Sequence, residues 1–135
     1  MKKLIIFVCV FILLSFGANA ADRDYYKLEK GAMVFANPLQ INRFIELMPE
    51  KNVATEYFDD LLKQKVATQT HEEVIVYKFD KFSHGSIDCY RVKVKNTSVV
   101  KFLNTYTDYI SNVNYKEGDI IGWVFGITLK KVKQK

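Results

Sequence analysis

The sequence predicts an α+β fold in which a helical hairpin precedes a run of short strands. Between Asn37 and Lys65, apolar residues recur twice at helical spacing, each time behind a capping residue. From Val66 onward the period falls to two, and Gly, Asn, Asp and Ser clusters punctuate the alternation.

The first twenty residues set the compartment. Lys2 and Lys3 form a positive start, an apolar or small run extends from Leu4 to Ala18, and Ala18-Asn19-Ala20 is a small-x-small site before Ala21. That is the layout of a secretory signal peptide over residues 1–20. The run is shorter than the ~20 residues that span a bilayer, so a retained anchor is not expected. Cys9 sits in mid-run, too early for lipid attachment. The Lys-Lys start and Ala-x-Ala ending suit a bacterium and predict export to the periplasm or beyond it. Processing leaves residues 21–135 as one domain. It also takes the formal charge from +5 to +3. The residual excess lies partly in Lys130, Lys131, Lys133 and Lys135, not in a basic stripe, and nucleic acid is not an expected partner. Cys89 remains alone, so the fold must rest on its core without an internal disulfide.

Residues 21–30 are polar and read as frayed at first. "KGAMVFA" is a short strand in which Gly31 turns and Met33, Val34 and Phe35 form the apolar body. "NPLQINRFIELMP" is a helix: Asn37 is an N-cap, Pro38 suits the first position, and Gln40 falls where a capping box places Glu or Gln. Ile41, Phe44, Ile45 and Met48 share one face, and Pro49 stops it. "NVATEYFDDLLKQK" repeats the design, with Asn52 as cap and Ala54, Tyr57, Phe58, Leu61 and Leu62 as the apolar stripe. Helices this short need a surface to pack on.

"KVATQ" is a strand candidate. "EVIVYKF" alternates, with Val74 and Val76 opposite Ile75, Tyr77 and Phe79. After a loop at Gly85, "IDCYRVKVK" sends Tyr90, Val92 and Val94 one way. Cys89, Arg91, Lys93 and Lys95 go the other, which puts Cys89 on the more polar face toward solvent. "NTSVVKFLNTYTDYISNVNYKEGD" fits a helical stripe of Val99, Phe102, Leu103, Tyr106, Tyr109 and Ile110. Its β-branched and aromatic content suits a hairpin equally, and the helix is the reading adopted. "IIGWVFGITL" is a strand with two glycines, the mark of a bulge or sharp bend.

Three stretches share a likeness: Val74 to Val76, Val92 to Val94, and Gly122-Trp123-Val124 running on to Leu129. Together they resemble the late strands of bacterial SH3-like (SH3b-type) domains, in which Gly-Trp-Val opens a late strand. "KGAMVFA" and the two helices are similar to small exported proteins of that architecture. The resemblance covers about half of the processed chain. It implies a small SH3-like β-barrel with an inserted N-terminal helical hairpin. Residues 96–118 would be an insertion where such domains have a tight turn.

No constellation supports catalysis. Cys89 with His84 or His71 as base lacks a strand-to-helix elbow or helix N-terminus to lower the thiol pKa. His71 and His84, with Glu72, Glu73, Asp80 and Asp88 nearby, show no recognised ligand spacing, and no Gly-rich phosphate loop occurs. Neither enzyme activity nor a metal or cofactor is expected. Recognition is: small barrels bind through loops and aromatic residues at one mouth. The candidate binding residues are Trp123, Tyr106, Tyr109, Tyr115, Phe82 and Tyr77. The expected partner is a peptide, a cell-wall component or another envelope protein. The alternative is an inhibitor or immunity protein that blocks a toxic envelope enzyme, with residues 96–118 as the blocking element. Mass spectrometry of the exported chain is expected to find an N-terminus at Ala21; a species retaining Met1 to Ala20 on the membrane would overturn the compartment.

Overall fold

The computed structural model describes residues 24–132; the signal peptide expected over residues 1–20 lies outside them. The order is β1 (Tyr26–Leu28), β2 (Met33–Phe35), α1 (Pro38–Leu47), α2 (Lys51–Lys63), β3 (Ala67–Thr70), β4 (Val74–His84), β5 (Ile87–Val94), β6 (Ser98–Asn104), β7 (Tyr109–Tyr115) and β8 (Ile120–Phe125). A 3-10 turn over Gly126–Thr128 leads into β9 (Leu129–Lys131). Strand β1 falls within the stretch expected to be frayed.

The helices form for the local reasons the sequence supplies. Asn37 Oδ1 accepts a hydrogen bond from the Leu39 amide at 2.8 Å, and Pro38 occupies the first turn. Ile41, Phe44 and Ile45 are buried along one face of α1. Gln40 completes no capping box; its Oε1 is buried without a protein partner. Helix α2 starts a residue before the expected cap: Asn52 lies inside it, and Glu50 precedes it without a side-chain cap bond. Of its expected stripe Ala54, Phe58, Leu61 and Leu62 are buried, while Tyr57 is only partly so.

The expected SH3-like barrel is not what these strands build. All nine lie in one antiparallel sheet, in the order β7-β6-β3-β2-β8-β5-β4-β1-β9, and the sheet stays open because its outer strands β7 and β9 do not pair with each other. The reason lies in residues 96–118. They are neither an inserted helix nor a decoration. They form the β6–β7 hairpin, paired from Ser98↔Tyr115 to Asn104↔Tyr109, and extend the sheet by two strands. The hairpin wins because Val100 and Phe102 are buried while Val99 and Lys101 are exposed, a period-two solution. Asn104 then turns the chain: its Oδ1 accepts from the amides of Tyr106 and Thr107.

Two seams hold the sheet together. At the first, β2 meets β8 through the single pair Phe35↔Trp123. Gly122 makes that approach feasible. Its φ is +146°, and a Cβ there would lie 2.8 Å from the Phe35 carbonyl oxygen. At the second, β1 runs into β2 and β3 runs into β4, with β1 paired to β4 and β2 to β3. Buried Thr70 pins the corner: its hydroxyl donates to the Glu29 carbonyl at 2.6 Å and accepts from the Ala32 amide at 3.0 Å.

One face of the sheet is covered by the helices. Phe35 stands at the middle of that layer, with ring centroids 5.8 Å from Phe44, 5.6 Å from Phe58 and 6.0 Å from Phe125. On the other face Leu28, Val34, Val76, Val92, Val94, Phe102 and Val124 belong to a second core cluster. The helical hairpin contributes no residue to it. The alternation expected in β5 holds, but its polar face is not uniform. Cys89, expected toward solvent, is fully buried in the helical layer, while Lys93 and Lys95 continue along the same face beyond the helices. The helices reach only one end of the sheet, and burial follows their footprint and not the residue type.

Gly122→Ala is expected to destabilise the fold by about 1–3 kcal/mol or more, because the added carbon meets backbone and not a yielding side chain. Chemical denaturation of the variant against wild type reads this directly.

Candidate binding cleft at the free sheet edge

The two ends of the sheet differ. Strand β9 is three residues long and carries Lys130 and Lys131. Those lysines pair with Glu29 at 3.8 Å and Asp24 at 3.5 Å. A short, charged strand is a poor template for further pairing. Strand β7, "YISNVNY", is seven residues long, carries no charge and no proline, and is bonded on one side alone, to β6. Among the described residues, its outer backbone groups have no strand to pair with.

A cleft of about 730 Å³ runs beside this edge. Tyr109, Ser111, Val113 and Tyr115, alternate residues of β7, line it. Leu62, Lys63 and Lys65 at the end of α2 form the opposite wall, and Phe102 and Ile121 contribute apolar surface between. Lys65 takes φ +62° where the helix ends. Its amide donates to the Leu62 carbonyl, and the Val66 amide to that of Leu61. Asn104 Nδ2 donates to the Leu62 carbonyl at 2.9 Å and ties the hairpin to the helix. The Phe102 and Tyr115 rings meet edge to face at 6.2 Å. The cleft therefore mixes apolar surface with the polar groups of Thr68, Asn104, Thr107 and Ser111, carries two ammonium groups on one rim, and has a volume in the range of ligand pockets.

The expected binding residues are divided. Tyr109 and Tyr115 line the cleft. Tyr106 sits at the hairpin tip, 52% exposed, and Tyr109 is 66% exposed. Trp123 does not join them. It is 6% exposed, belongs to the helical layer, and packs on Phe82 with centroids 5.3 Å apart. Tyr77 is buried. Along β8 the residue facing the cleft is Ile121, two positions from Trp123 on the far side of the Gly122 distortion. Lys63, Lys65, Asn104 and Ile121 were not singled out by sequence reasoning. Reading residues 96–118 as a hairpin would have brought the first three forward, because only that geometry carries Asn104 to the end of α2.

Cys89, which the sequence did not lead us to expect as a nucleophile, is buried. Burial, and then the Asp88 carboxylate, push the Cys89 thiol up to about 11. His84 Nδ1 is engaged by Asn42 Oδ1 at 2.5 Å, which ties the end of β4 to α1. Among the described residues no group of three or more His, Cys, Asp or Glu is placed to hold a metal ion, and no helix is long and apolar enough to cross a membrane. No protein-family model, curated protein or solved structure matches this chain.

The raised thiol has a consequence for alkaline stability. A raised pKa favours the protonated, folded form below the unfolded value and loses that contribution as pH climbs through the folded value. For Cys89 the window runs from 9.0 to about 11. Tyr115, raised by burial and then by Asp119, acts in the same direction. Unfolding free energy is expected to fall across that window. Cys89→Ala is expected to flatten part of the fall, and the native thiol to resist alkylation at neutral pH.

Proposed function

We propose that this chain is a non-enzymatic recognition module of the bacterial periplasm. In this reading it binds an extended peptide segment of an envelope protein or of the cell wall. The peptide adds a strand to the outer edge of β7 and places alternate side chains in the adjoining cleft. The observation that carries the reading is the asymmetry of the edges: β9 is short and lysine-bearing, whereas β7 is long and uncharged and stands beside a partly apolar cleft. Strand addition draws affinity from main-chain hydrogen bonds and specificity from pockets that take every second side chain. The cleft, lined by alternate β7 residues, offers such pockets. Lys63 and Lys65 on its rim favour a peptide with an acidic residue near its apolar anchor.

The exposure of Tyr106 and Tyr109 at the β6–β7 tip favours a second reading, an inhibitor or immunity protein whose hairpin enters the active site of a toxic envelope enzyme. Nanomolar affinity for a single protein, lost on Tyr106→Ala, distinguishes it from strand addition to many peptides.

The test uses peptides selected against the wild-type chain from a displayed random library. Tyr109→Ala is expected to weaken their binding by about 2 kcal/mol or more while leaving the melting temperature unchanged. Tyr115→Ala, which loses the Phe102 contact, is expected to lower both. Selection that yields no binder, or binders indifferent to Tyr109, would overturn the assignment of the edge.

A further inference from the structure

The half of the sheet face left bare by the helices carries a second kind of surface. Cross-strand register sets Lys130 opposite Lys27 and Lys27 opposite Ile75, and the Lys95 amide donates to the Ile75 carbonyl. The next row is Tyr77↔Lys93↔Ile120. Arg91 stands beyond it, opposite Asp80 at the β4 bulge that holds Phe79. Lys93 and Arg91 lie over the Phe79 ring, at 4.5 and 5.3 Å, and Lys95 lies over Tyr25 at 4.0 Å. Among the described residues no carboxylate comes within 4 Å of Lys27, Lys93, Lys95 or Arg91; Lys130 alone reaches one, Glu29. Two lysines directly opposite each other on adjacent strands cost stability. A counter-charge from outside the chain would relieve that cost.

We propose that this face seats the protein on an anionic lipid surface. Two features select a bilayer over a dissolved polyanion. Phe79 and Ile120 are 38% and 44% exposed among the cations. A hydrated phosphate polymer has nothing apolar to meet them, whereas the boundary between headgroups and acyl chains does. The Tyr25 ring is also capped by Lys95, which leaves it no open face for stacking on a nucleobase. Basic residues near an anionic membrane each add to the attraction, and salt within a Debye length removes it. The proposal does not depend on the peptide edge, which lies at the β7 end of the sheet.

The test is co-sedimentation of the full chain with vesicles of phosphatidylcholine alone and of phosphatidylcholine mixed with phosphatidylglycerol. The readout is the preference between the two, because the apolar residues 4–18, if present, favour both alike. Wild type is expected to prefer the anionic vesicles and to lose the preference as salt rises. Lys27→Gln/Lys93→Gln/Lys95→Gln is expected to reduce that preference about a hundredfold while circular dichroism shows the chain still folded. Lys63→Gln/Lys65→Gln, in the cleft, is expected to keep it. A wild type with no preference overturns the proposal, as does a preference that the triple variant retains. Retention on a polyphosphate resin without any vesicle preference assigns the face to a soluble polyanion and overturns it as well.

Discussion

The contact of β2 with β8 is the constraint on which the rest of the molecule depends. One block of the sheet contains β7, β6, β3 and β2, the other β8, β5, β4, β1 and β9, and the ladder between them is the single pair Phe35↔Trp123. So short a ladder supplies little hydrogen bonding. Its strength comes from what the two residues do next: Phe35 meets Phe44, Phe58 and Phe125, and Trp123 meets Phe82. The helices thus clamp the seam from one side, and their need for a surface to pack on is met at the place where the sheet is weakest. Only a residue without a Cβ allows the backbones to approach so closely, which gives Gly122 its place next to the tryptophan.

Chain connectivity crosses the same seam four times, at the β1–β2, β3–β4, β5–β6 and β7–β8 connections, and the first two of these meet at one corner. Strand β1 belongs to one block and β2 to the other, and β3 and β4 are divided likewise. The corner between them would leave amides and carbonyls without ladder partners. Thr70 supplies these partners with its hydroxyl, its amide and its carbonyl, which reach Glu29, Ala32 and Gly31. A buried threonine is therefore part of the sheet's hydrogen bonding as much as of its core.

Uneven coverage also explains why one strand face holds opposite chemistries. Along β5, Cys89 is sealed under the helices with its thiol held protonated, while Lys93 and Lys95, on the same face, lie over the rings of Phe79 and Tyr25. The long lysine stems cover the apolar sheet and carry their charge outward. The helical layer and the basic layer divide a single surface between them.

Residues close in sequence were legible where a short-range rule decides them. Asn37, Pro38 and the spacing of Ile41, Phe44 and Ile45 specify α1 because a helix is closed by bonds four residues apart. The alternation of β4 and β5 and the bulge at Gly122 follow from equally local rules. Residues 96–118 were not legible, because Val99, Phe102, Tyr106 and Tyr109 satisfy a 3.6-residue stripe, while Val100 and Phe102 set against Val99 and Lys101 satisfy a two-residue alternation. What separates the two is a partner that the local sequence does not contain: β3, which pairs Thr70 with Phe102, and Leu62, whose carbonyl holds Asn104. The candidate site was divided with it. Tyr109 and Tyr115 were recognisable as aromatic residues suited to binding, but their separation from Trp123 is set by the Gly122 distortion and by which side of the sheet the helices occupy. The sequence by itself determined the helices, the strand periods and the glycine at the seam, since those are properties of neighbouring residues. Closure or openness of the sheet, its free edge and the reach of the helices were decided by tertiary structure alone, because each depends on contacts between segments far apart in the chain.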